Sequence, residues 1–550
     1  MKKLIFAASA AGMLLALTAC GSSSSGSIED SLATTTPIKH LVVIYGENIS
    51  FDHYFATYPT ATNPAGEPKF TAAVGTPAVN GLSGALLTAN PNSTNVGNGA
   101  GAANPFRLDR VQAATADQGH NYTPEQQASD FGAQDLFPEY TGHAGSGGSG
   151  AFNTTGLVMA YFDGNTVTAM WNYAQHFAMS DNSYSDQYGP STPGAINLIA
   201  GQTNGFTIGA SSRSTYYVND TQGGLTLIND VDPAGDSCSS TTDNGKFSGK
   251  NIGDLLNSGG ITWGWFEGGF NLGLTNGNGT TGCARSTFSD TVNAATADYI
   301  PHHEPFQYYT STANPTHVRP TSMSVVGTAS DGGANHQYDI QDFFAAVNAG
   351  NFPSVTFLKA SAYQDAHAGY SDPLDEQTFV VEVVNFLEQQ PDWANTAVII
   401  AYDDSDGWYD HQLAAVGNAS FDATADQVTA AGKCGVSGVT PQAVGVAGTG
   451  PVNGRCGPGM RQPFLVISPW AKSNYVDHTL ITQASIIKFI EDNWLSGKRI
   501  GGGSFDATTG SINALFNFSA TTPNAALYLD PNYGTLLTAP PKGTPNDAVH

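Results

Sequence analysis

Two short polar stretches carry residue types that could bind a hard metal ion. Glu47 and Asn48 come two residues after an apolar, β-branched run, and Asp403 and Asp404 directly follow another. Such runs are typical of buried strands, and open α/β sheets bind ligands just beyond the carboxyl ends of their strands. Adjacent carboxylates repel each other unless a cation lies beside them. Carboxylate and amide oxygens suit a hard divalent ion, so the two stretches predict a metal site at one sheet edge.

The first stretch also has a simpler interpretation. Glu47 and Asn48 could belong to a polar turn that starts a helix, with Ser50 as the N-cap and no metal. The matching pair of aspartates at a second strand end favours the metal hypothesis. The two interpretations are compatible, because one turn can start a helix and still present ligands.

A third stretch combines a hydroxyl group with a helix start. Ser191, Thr192 and Pro193 precede an apolar run, which predicts a helix capped by Thr192 with Pro193 in its first turn. Ser191 would lie at the positive end of the helix dipole, beside backbone N–H groups that could bind phosphate. A metal-activated hydroxyl next to a phosphate site is suited to phosphoryl transfer. Spacing alone does not separate Ser191 from Thr192 as the nucleophile.

The elements that position these residues alternate between strands and helices. Apolar β-rich runs predict strands at 41–44, 261–266, 355–358, 397–402 and 464–468, and amphipathic patterns predict helices from 372 and over 484–494. This alternation indicates an α/β fold with a mainly parallel sheet. We expect residues 37–550 to form one catalytic domain with loop-rich insertions, because long Gly-, Ser-, Thr- and Asn-rich stretches separate the elements.

Composition limits the partners of the chain. The 550 residues carry a formal net charge of −26, which argues against nucleic acid as a partner and would repel an anionic substrate. The 13 histidines can offset that repulsion locally at low pH. A lone histidine is more often structural, so eight receive no catalytic role: His40, His53, His143, His176, His317, His336, His411 and His478.

The N-terminus has the features of an export signal. Residues 1–19 combine two lysines with a short apolar core, which is too short for a retained membrane span. The sequence before Cys20 is similar to a bacterial lipobox, so residues 20–36 are predicted to be a lipidated cysteine and a flexible Gly/Ser-rich tether. Plain secretion with an incidental cysteine is the alternative. The predicted location is therefore the cell envelope, at the outer membrane or periplasmic face, or outside the cell.

Four further cysteines suggest two disulfides in an exported protein. The sequence allows three pairings, and we favour the pairing of neighbours, Cys238–Cys283 and Cys434–Cys456. No pair has the CxxC spacing of zinc sites.

Three motifs resemble the phosphoesterase family that contains bacterial phospholipases C and acid phosphatase A. They are HLVVIYGENISFDHYF at 40–55, SDNSYSDQYGPSTPG at 180–194 and AYDDSDGWYDH at 401–411. The similarity runs from about residue 37 to about residue 495, with the motifs in the family's order. It implies an alkaline-phosphatase-like α/β fold, a three-layer sandwich with a mainly parallel sheet flanked by helices.

The resemblance also implies roles for individual residues. The metal ligands would be Glu47, Asn48, Asp403 and Asp404, together with Ser191, which would be the nucleophile. The metal would be one divalent ion: Mg, Ca, Mn or Zn. Four histidines would bind phosphate, and His302 or His303 would also protonate the leaving group: His120, His302, His303 and His367.

Departures from the family pattern bear on the substrate. Phospholipases of the family usually show ENRSFDHYFG and DEHGG, whereas this chain has Ile49, Ala56 and DDSDG. These differences favour an acid phosphatase that hydrolyses phosphomonoesters through a phosphoserine, with an acid pH optimum. One alternative is a phospholipase C that cleaves phosphodiester head groups. Another is a surface-tethered binding protein without turnover.

Overall fold

The protein's structure, a computed structural model, describes residues 33–210 and 213–542, so the predicted signal segment and Cys20 lie outside the described residues. A central sheet of eight strands organises the chain. In chain order the strands are β1 His40–Gly46, β2 Ala178–Ser180, β3 Trp263–Glu267, β4 Gln337–Asp339, β5 Val355–Lys359, β6 Thr396–Tyr402, β7 Phe464–Ile467 and β8 Tyr475–Asp477. Across the sheet they run β4-β3-β5-β1-β6-β7-β2-β8.

The sheet is mainly parallel, as predicted. β7 pairs antiparallel with β6 and β2, while the other pairings in the sheet are parallel. Every residue of β1, β5 and β6 is buried. Strands covered on both faces need continuous apolar sequences, which explains why the β-branched runs were recognisable. The predicted mixed α/β fold class is confirmed.

Helices cover both faces of the sheet. They are α1 Phe51–Phe55, α2 Ala85–Thr88, α3 Tyr122–Ala128, α4 Phe137–Tyr140, α5 Thr168–His176, α6 Ser191–Ala200, α7 Ile252–Gly259, α8 Ile340–Asn348, α9 Pro373–Leu387 and α10 Ala484–Trp494. Tyr45 points from β1 to the backbone of α6, where its hydroxyl donates to Gly194 O at 3.1 Å. Tyr402, opposite Gly46 in β6, donates instead to Glu376 of α9. Because side chains alternate between faces along a strand, α6 and α9 lie on opposite faces.

Inserted segments form additional small sheets outside the central sheet. A five-stranded sheet lies between α6 and α7 and consists of Asn204–Ala210, Tyr217–Asn219, Leu225–Leu227, Asp232–Pro233 and Asn244–Phe247. Three two-stranded sheets pair Phe106–Arg107 with Ala160–Tyr161, Ser183–Tyr184 with Ile481–Thr482, and Ser286–Ser289 with Ala294–Ala297. The short strand Asp232–Pro233 contacts His302 of the site described below.

Two disulfides close excursions of the chain. Cys238 bonds to Cys283 and Cys434 to Cys456, which are the two pairings favoured from the sequence. Such bonds are typical of proteins outside the cytoplasm. Within residues 33–210 and 213–542, no helix combines the length and apolar character needed to cross a membrane.

Candidate functional site

The pairing of β1 with β6 brings the two polar stretches together. Gly46 lies opposite Tyr402 in parallel register, so the residues that follow each strand emerge side by side at the same sheet edge. Ligand oxygens of Glu47, Asp403 and Asp404 lie within 4.8 Å of one another. Each of the three residues is at most 2% exposed. The predicted convergence of Glu47 and Asn48 with the two aspartates is therefore present in the structure.

Ser191 completes this group from the first position of α6. Its hydroxyl Oγ lies 2.8 Å from Glu47 Oε2, 3.3 Å from Asp404 Oδ2 and 3.5 Å from Asn48 Oδ1. The hydroxyl therefore points into the cluster of oxygen ligands. Thr192, the other hydroxyl that the spacing allowed, follows it in the helix.

The start of α6 differs from the prediction. The helix begins at Ser191, Pro190 is the N-cap, and no side chain caps it, so the prediction that Thr192 caps the helix is wrong. Thr192 N instead donates to Asp230 Oδ1 at 2.8 Å. The Asp230 carboxylate, from the segment that follows α6, thus accepts from one of the backbone N–H groups that were expected to bind phosphate. A Cβ on Gly194 would overlap the carbonyl oxygen of Asp403, so glycine allows the close approach of helix and ligand loop.

The unliganded oxygen of Asp403 indicates a cation. Asn48 N donates to Asp403 Oδ1 at 2.9 Å, but Oδ2 is buried and accepts no hydrogen bond among residues 33–210 and 213–542. A buried carboxylate oxygen without a partner is costly. With the carboxylate and amide oxygens around it, the residues present fit a divalent ion with oxygen ligands.

The carboxylates affect one another's protonation. Burial and the charge of Asp403 raise the pKa values of Glu47 and Asp404 well above the usual range. Burial alone would also raise the pKa of Asp403, but its interaction with Glu47 and the charge of Lys359 lower it. Without an ion, the group therefore takes up protons to reduce its negative charge.

Lys359 is a site residue that the sequence analysis missed. It is the last residue of β5 and 1% exposed, and its ammonium group donates to Glu47 Oε1. Burial lowers the pKa of Lys359, but the neighbouring carboxylates more than reverse this, and the pKa ends above the ordinary value. The available signal was a lysine at the end of a buried strand, where the same rule identified Glu47 and Asp403.

The adjacent histidines occupy different environments. His303 is 3% exposed and its Nδ1 lies 3.4 Å from Glu47 Oε1; burial and the charge of Lys359 lower its pKa well below the usual range. The side chain of His302 is 29% exposed, with Nδ1 3.3 Å from Asp232 Oδ1. Burial lowers the pKa of His302, but Asp232 outweighs this effect and raises it.

A second pair of histidines lies beside Asp404 and its loop. His120 Nδ1 lies 3.2 Å from Asp406 Oδ1, and burial is outweighed by Asp404 and Asp406, which raise the pKa of His120 well above the usual range. The ring of His367 is 5.8 Å from that of His120, and burial lowers its pKa to about 4. The nearby carboxylates therefore favour the charged form of His120, whereas burial favours the neutral form of His367.

Asp406 connects this histidine pair to the metal-ligand group. Its Oδ1 accepts from Asn48 Nδ2 at 3.1 Å and its Oδ2 from Gln118 N at 3.2 Å. The residue has φ of 55° and precedes Gly407 with φ of 69°, so it also forms a turn. Asp406 orients Asn48 and His120 from one position.

A family model, two named relatives and a solved structure are similar to this chain. A family model described as the phosphoesterase family matches residues 38–495. A non-hemolytic phospholipase C of Burkholderia pseudomallei is 29% identical over 180 residues, 32% of this chain and 24% of that protein. Phospholipase C A of Mycobacterium tuberculosis is 24% identical over 512 residues, 89% of this chain and 79% of that protein. A solved alkaline phosphatase covers 63% of this chain and 94% of its own at 10% identity, with a TM-score of 0.31.

Proposed function

Because the chain belongs to the phosphoesterase family, we propose that it is a metal-dependent phosphatase that hydrolyses phosphomonoesters through Ser191. Membership of the family also confirms the prediction that the chain is a hydrolase of phosphoric ester bonds. The match to the Burkholderia relative spans about a quarter of that protein's length, and the substrate is therefore argued from the site. One observation carries the proposal: a buried serine hydroxyl lies among carboxylate and amide oxygens at a helix N-terminus.

The metal would be held by oxygen atoms of Glu47, Asn48, Ser191, Asp403 and Asp404. When bound, a divalent ion of this kind lowers the pKa of a coordinated hydroxyl and neutralises negative charge on a phosphoryl group. Mg, Ca, Mn and Zn all remain candidates, because each accepts oxygen ligands.

The reaction would proceed in two displacements at phosphorus. Ser191 Oγ attacks, its proton passes to Glu47 Oε2 at 2.8 Å, and the bond to the leaving oxygen breaks. His302 donates a proton to that oxygen. Water then attacks the phosphoserine and passes one proton to His302, while Glu47 returns its proton to Ser191 Oγ as the bond between phosphorus and Oγ breaks. Phosphate is released, and both side chains regain their starting protonation. This divides one hard step into two easier ones.

The acid role fits His302 better than His303. Asp232 favours the protonated form of His302, and this partly exposed side chain can exchange protons with solvent. His303 is buried and disfavoured as a cation by Lys359. We assign it to binding the substrate as a neutral hydrogen-bond donor.

His120 and His367 would contribute different interactions to phosphate binding. Charged His120 attracts the phosphate. His367 Nδ1 lies 2.6 Å from Ala368 O, so a neutral ring that donates there leaves Nε2 as an acceptor for a proton of the attacking water.

The balance of charge favours a monoester over a diester. A monoester phosphate carries up to two negative charges and a diester one, and the site supplies the positive charges favoured on His120 and His302 in addition to an ion. The second candidate is a phospholipase C, which the names of the relatives favour. It would use the same nucleophile on a different leaving group.

The test is a kinetic comparison of substrates after chelation and metal add-back. We expect turnover of p-nitrophenyl phosphate that chelation abolishes and one divalent ion restores, and kcat/KM at least about tenfold lower for a choline phosphodiester. The reverse preference would support the phospholipase. Absence of turnover with every ester and ion would favour the binding protein without activity.

We also propose that residues 1–19 are removed, that Cys20 carries a lipid, and that residues 20–36 tether a catalytic domain spanning 37–550. Labelling with a radioactive fatty acid tests this. The wild-type protein should incorporate label and Cys20→Ser should not, while a serine variant that is still labelled would contradict the anchor.

A further inference from the structure

The Glu47 carboxylate has the ammonium group of Lys359 on one side and the other proposed metal ligands on the other side. In the sheet, β1 lies between β5 and β6. Glu47 Oε1 accepts from the ammonium group of Lys359 at the end of β5. Glu47 Oε2 accepts from Ser191, beside the aspartates that follow β6. One carboxylate thus bridges the lysine and the group that would hold the ion.

Burial makes the positive charge of Lys359 energetically unfavourable unless a negative charge nearby compensates it. The residue is 1% exposed, and Nζ lies 5.7 Å from the ring centre of Tyr45. Its cross-strand neighbour Glu267 accepts from Trp265 Nε1 at 2.9 Å. A buried ion pair stabilises a fold no better than well-packed apolar residues of similar size. Packing alone therefore does not explain a lysine at this position.

A count of charge indicates what the lysine does. Glu47, Asp403 and Asp404 bring three negative charges. One divalent ion brings two positive charges and Lys359 brings the third, which balances the charges of these three carboxylates. With two divalent ions beside the lysine, the same carboxylates would leave an excess of two positive charges in a buried site.

We propose that the Lys359 ammonium group takes the place of a second divalent ion at this site. Lys359 is then a positioning residue that holds the Glu47 carboxylate between itself and the ion. Its charge limits the protein to one divalent ion. This inference rests on the proposed function, because it requires an ion at Glu47, Asp403 and Asp404. Removal of the lysine's charge should open the Oε1 side of Glu47 to a second ion.

The test measures the number of Mn²⁺ ions bound by the full-length protein after chelation, using calorimetry and electron paramagnetic resonance. Lys359→Met removes the charge and the donor, whereas Lys359→Gln removes the charge but keeps a donor for Glu47. Lys488→Met is the matched control, because Lys488 donates to a backbone carbonyl, Thr509 O, at 2.6 Å.

We expect one Mn²⁺ in the wild type and in Lys488→Met, and two in both Lys359 variants. Mn²⁺ should also raise the Tm of the Lys359 variants more than that of the wild type, which loss of packing alone would not produce. If Lys359→Met does not fold, Lys359→Gln decides the question. Variants that bind one ion with wild-type affinity, or a wild type that binds two, would overturn the role of Lys359. A wild type that binds none would instead overturn the metal in the proposed function.

Discussion

Asp404→Asn should change the stability of the protein in opposite directions with and without a divalent ion. The ligand oxygens of Asp404, Glu47 and Asp403 lie within 4.8 Å of one another. At an effective dielectric constant of about 20, two charges at that distance repel by about 3 kcal/mol. Proton uptake relieves part of this, so removing one charge should stabilise the chelated protein by about 1–3 kcal/mol. The unfolding entropy of a chain of this length is about 1 kcal/mol/K, which predicts a Tm increase of about 1–3 °C.

With the ion present the sign should reverse. A ligand that binds only the native state stabilises it by RT ln(1 + [L]/Kd), so a thousandfold loss of affinity costs about 4.1 kcal/mol at saturating ion, more than the gain of about 1–3 kcal/mol in the ion-free protein. Circular dichroism melts at pH 8, with EDTA and with Mn²⁺, measure both effects. Asp426→Asn is the matched control, because Asp426 Oδ1 accepts from Tyr122 Oη and Oδ2 from Asp422 N, each at 2.6 Å. An amide has only one acceptor oxygen, so one of these hydrogen bonds is lost and the protein should be destabilised in both buffers. If Asp404→Asn lowers the Tm equally in both buffers, the reasoning about repulsion is refuted.

Three further predictions concern the reaction. Ser191→Ala should reduce kcat by at least about 10³-fold with an unchanged circular dichroism spectrum, and retained turnover would remove Ser191 from the nucleophile role. Protonation of His302 is complete below its raised pKa and is lost as pH rises through it, so kcat/KM should fall on the alkaline side of the pH profile. Asp232→Asn should move this fall to lower pH. Activity that rises steadily to pH 9 would contradict the role of His302 as the acid. Gly194→Ala should push α6 away from Asp403, because the added methyl group would overlap the Asp403 carbonyl oxygen. Both kcat and the affinity for Mn²⁺ should fall, and a metal titration measures the affinity. An unchanged titration would mean that the helix tolerates the methyl group.

Residues at the ends of central strands were predictable from the sequence. Glu47 and Asp403 follow runs so apolar that the strands are evident, and parallel pairing then requires their ends to meet. The same rule covers Lys359, but the strand was predicted to stop at residue 358, one position short of the lysine. The error of one residue at an element boundary concealed a charged group of the site.

Contacts from the insertions were not predictable. Asp230 lies 38 positions from Thr192, in a stretch without periodicity, and no local pattern indicates that its carboxylate reaches α6. Asp230 accepts from an N–H of the first helical turn that the N-cap residue, Pro190, has no side-chain acceptor to satisfy. The different protonation of His302 and His303 depends likewise on Asp232 and Lys359, which only the tertiary structure brings near.

The position of β1 at the centre of the sheet has a consequence for folding. Its partners β5 and β6 follow about 300 or more residues later in the chain. Contacts of such long sequence separation form slowly, and an unpaired apolar strand is a template for aggregation. Until β5 and β6 have been synthesised, the segment that carries Glu47 has neither of its neighbours in the sheet. The nascent chain should therefore depend on a chaperone that covers residues 40–46, and slow refolding in vitro should be limited by assembly of these three strands.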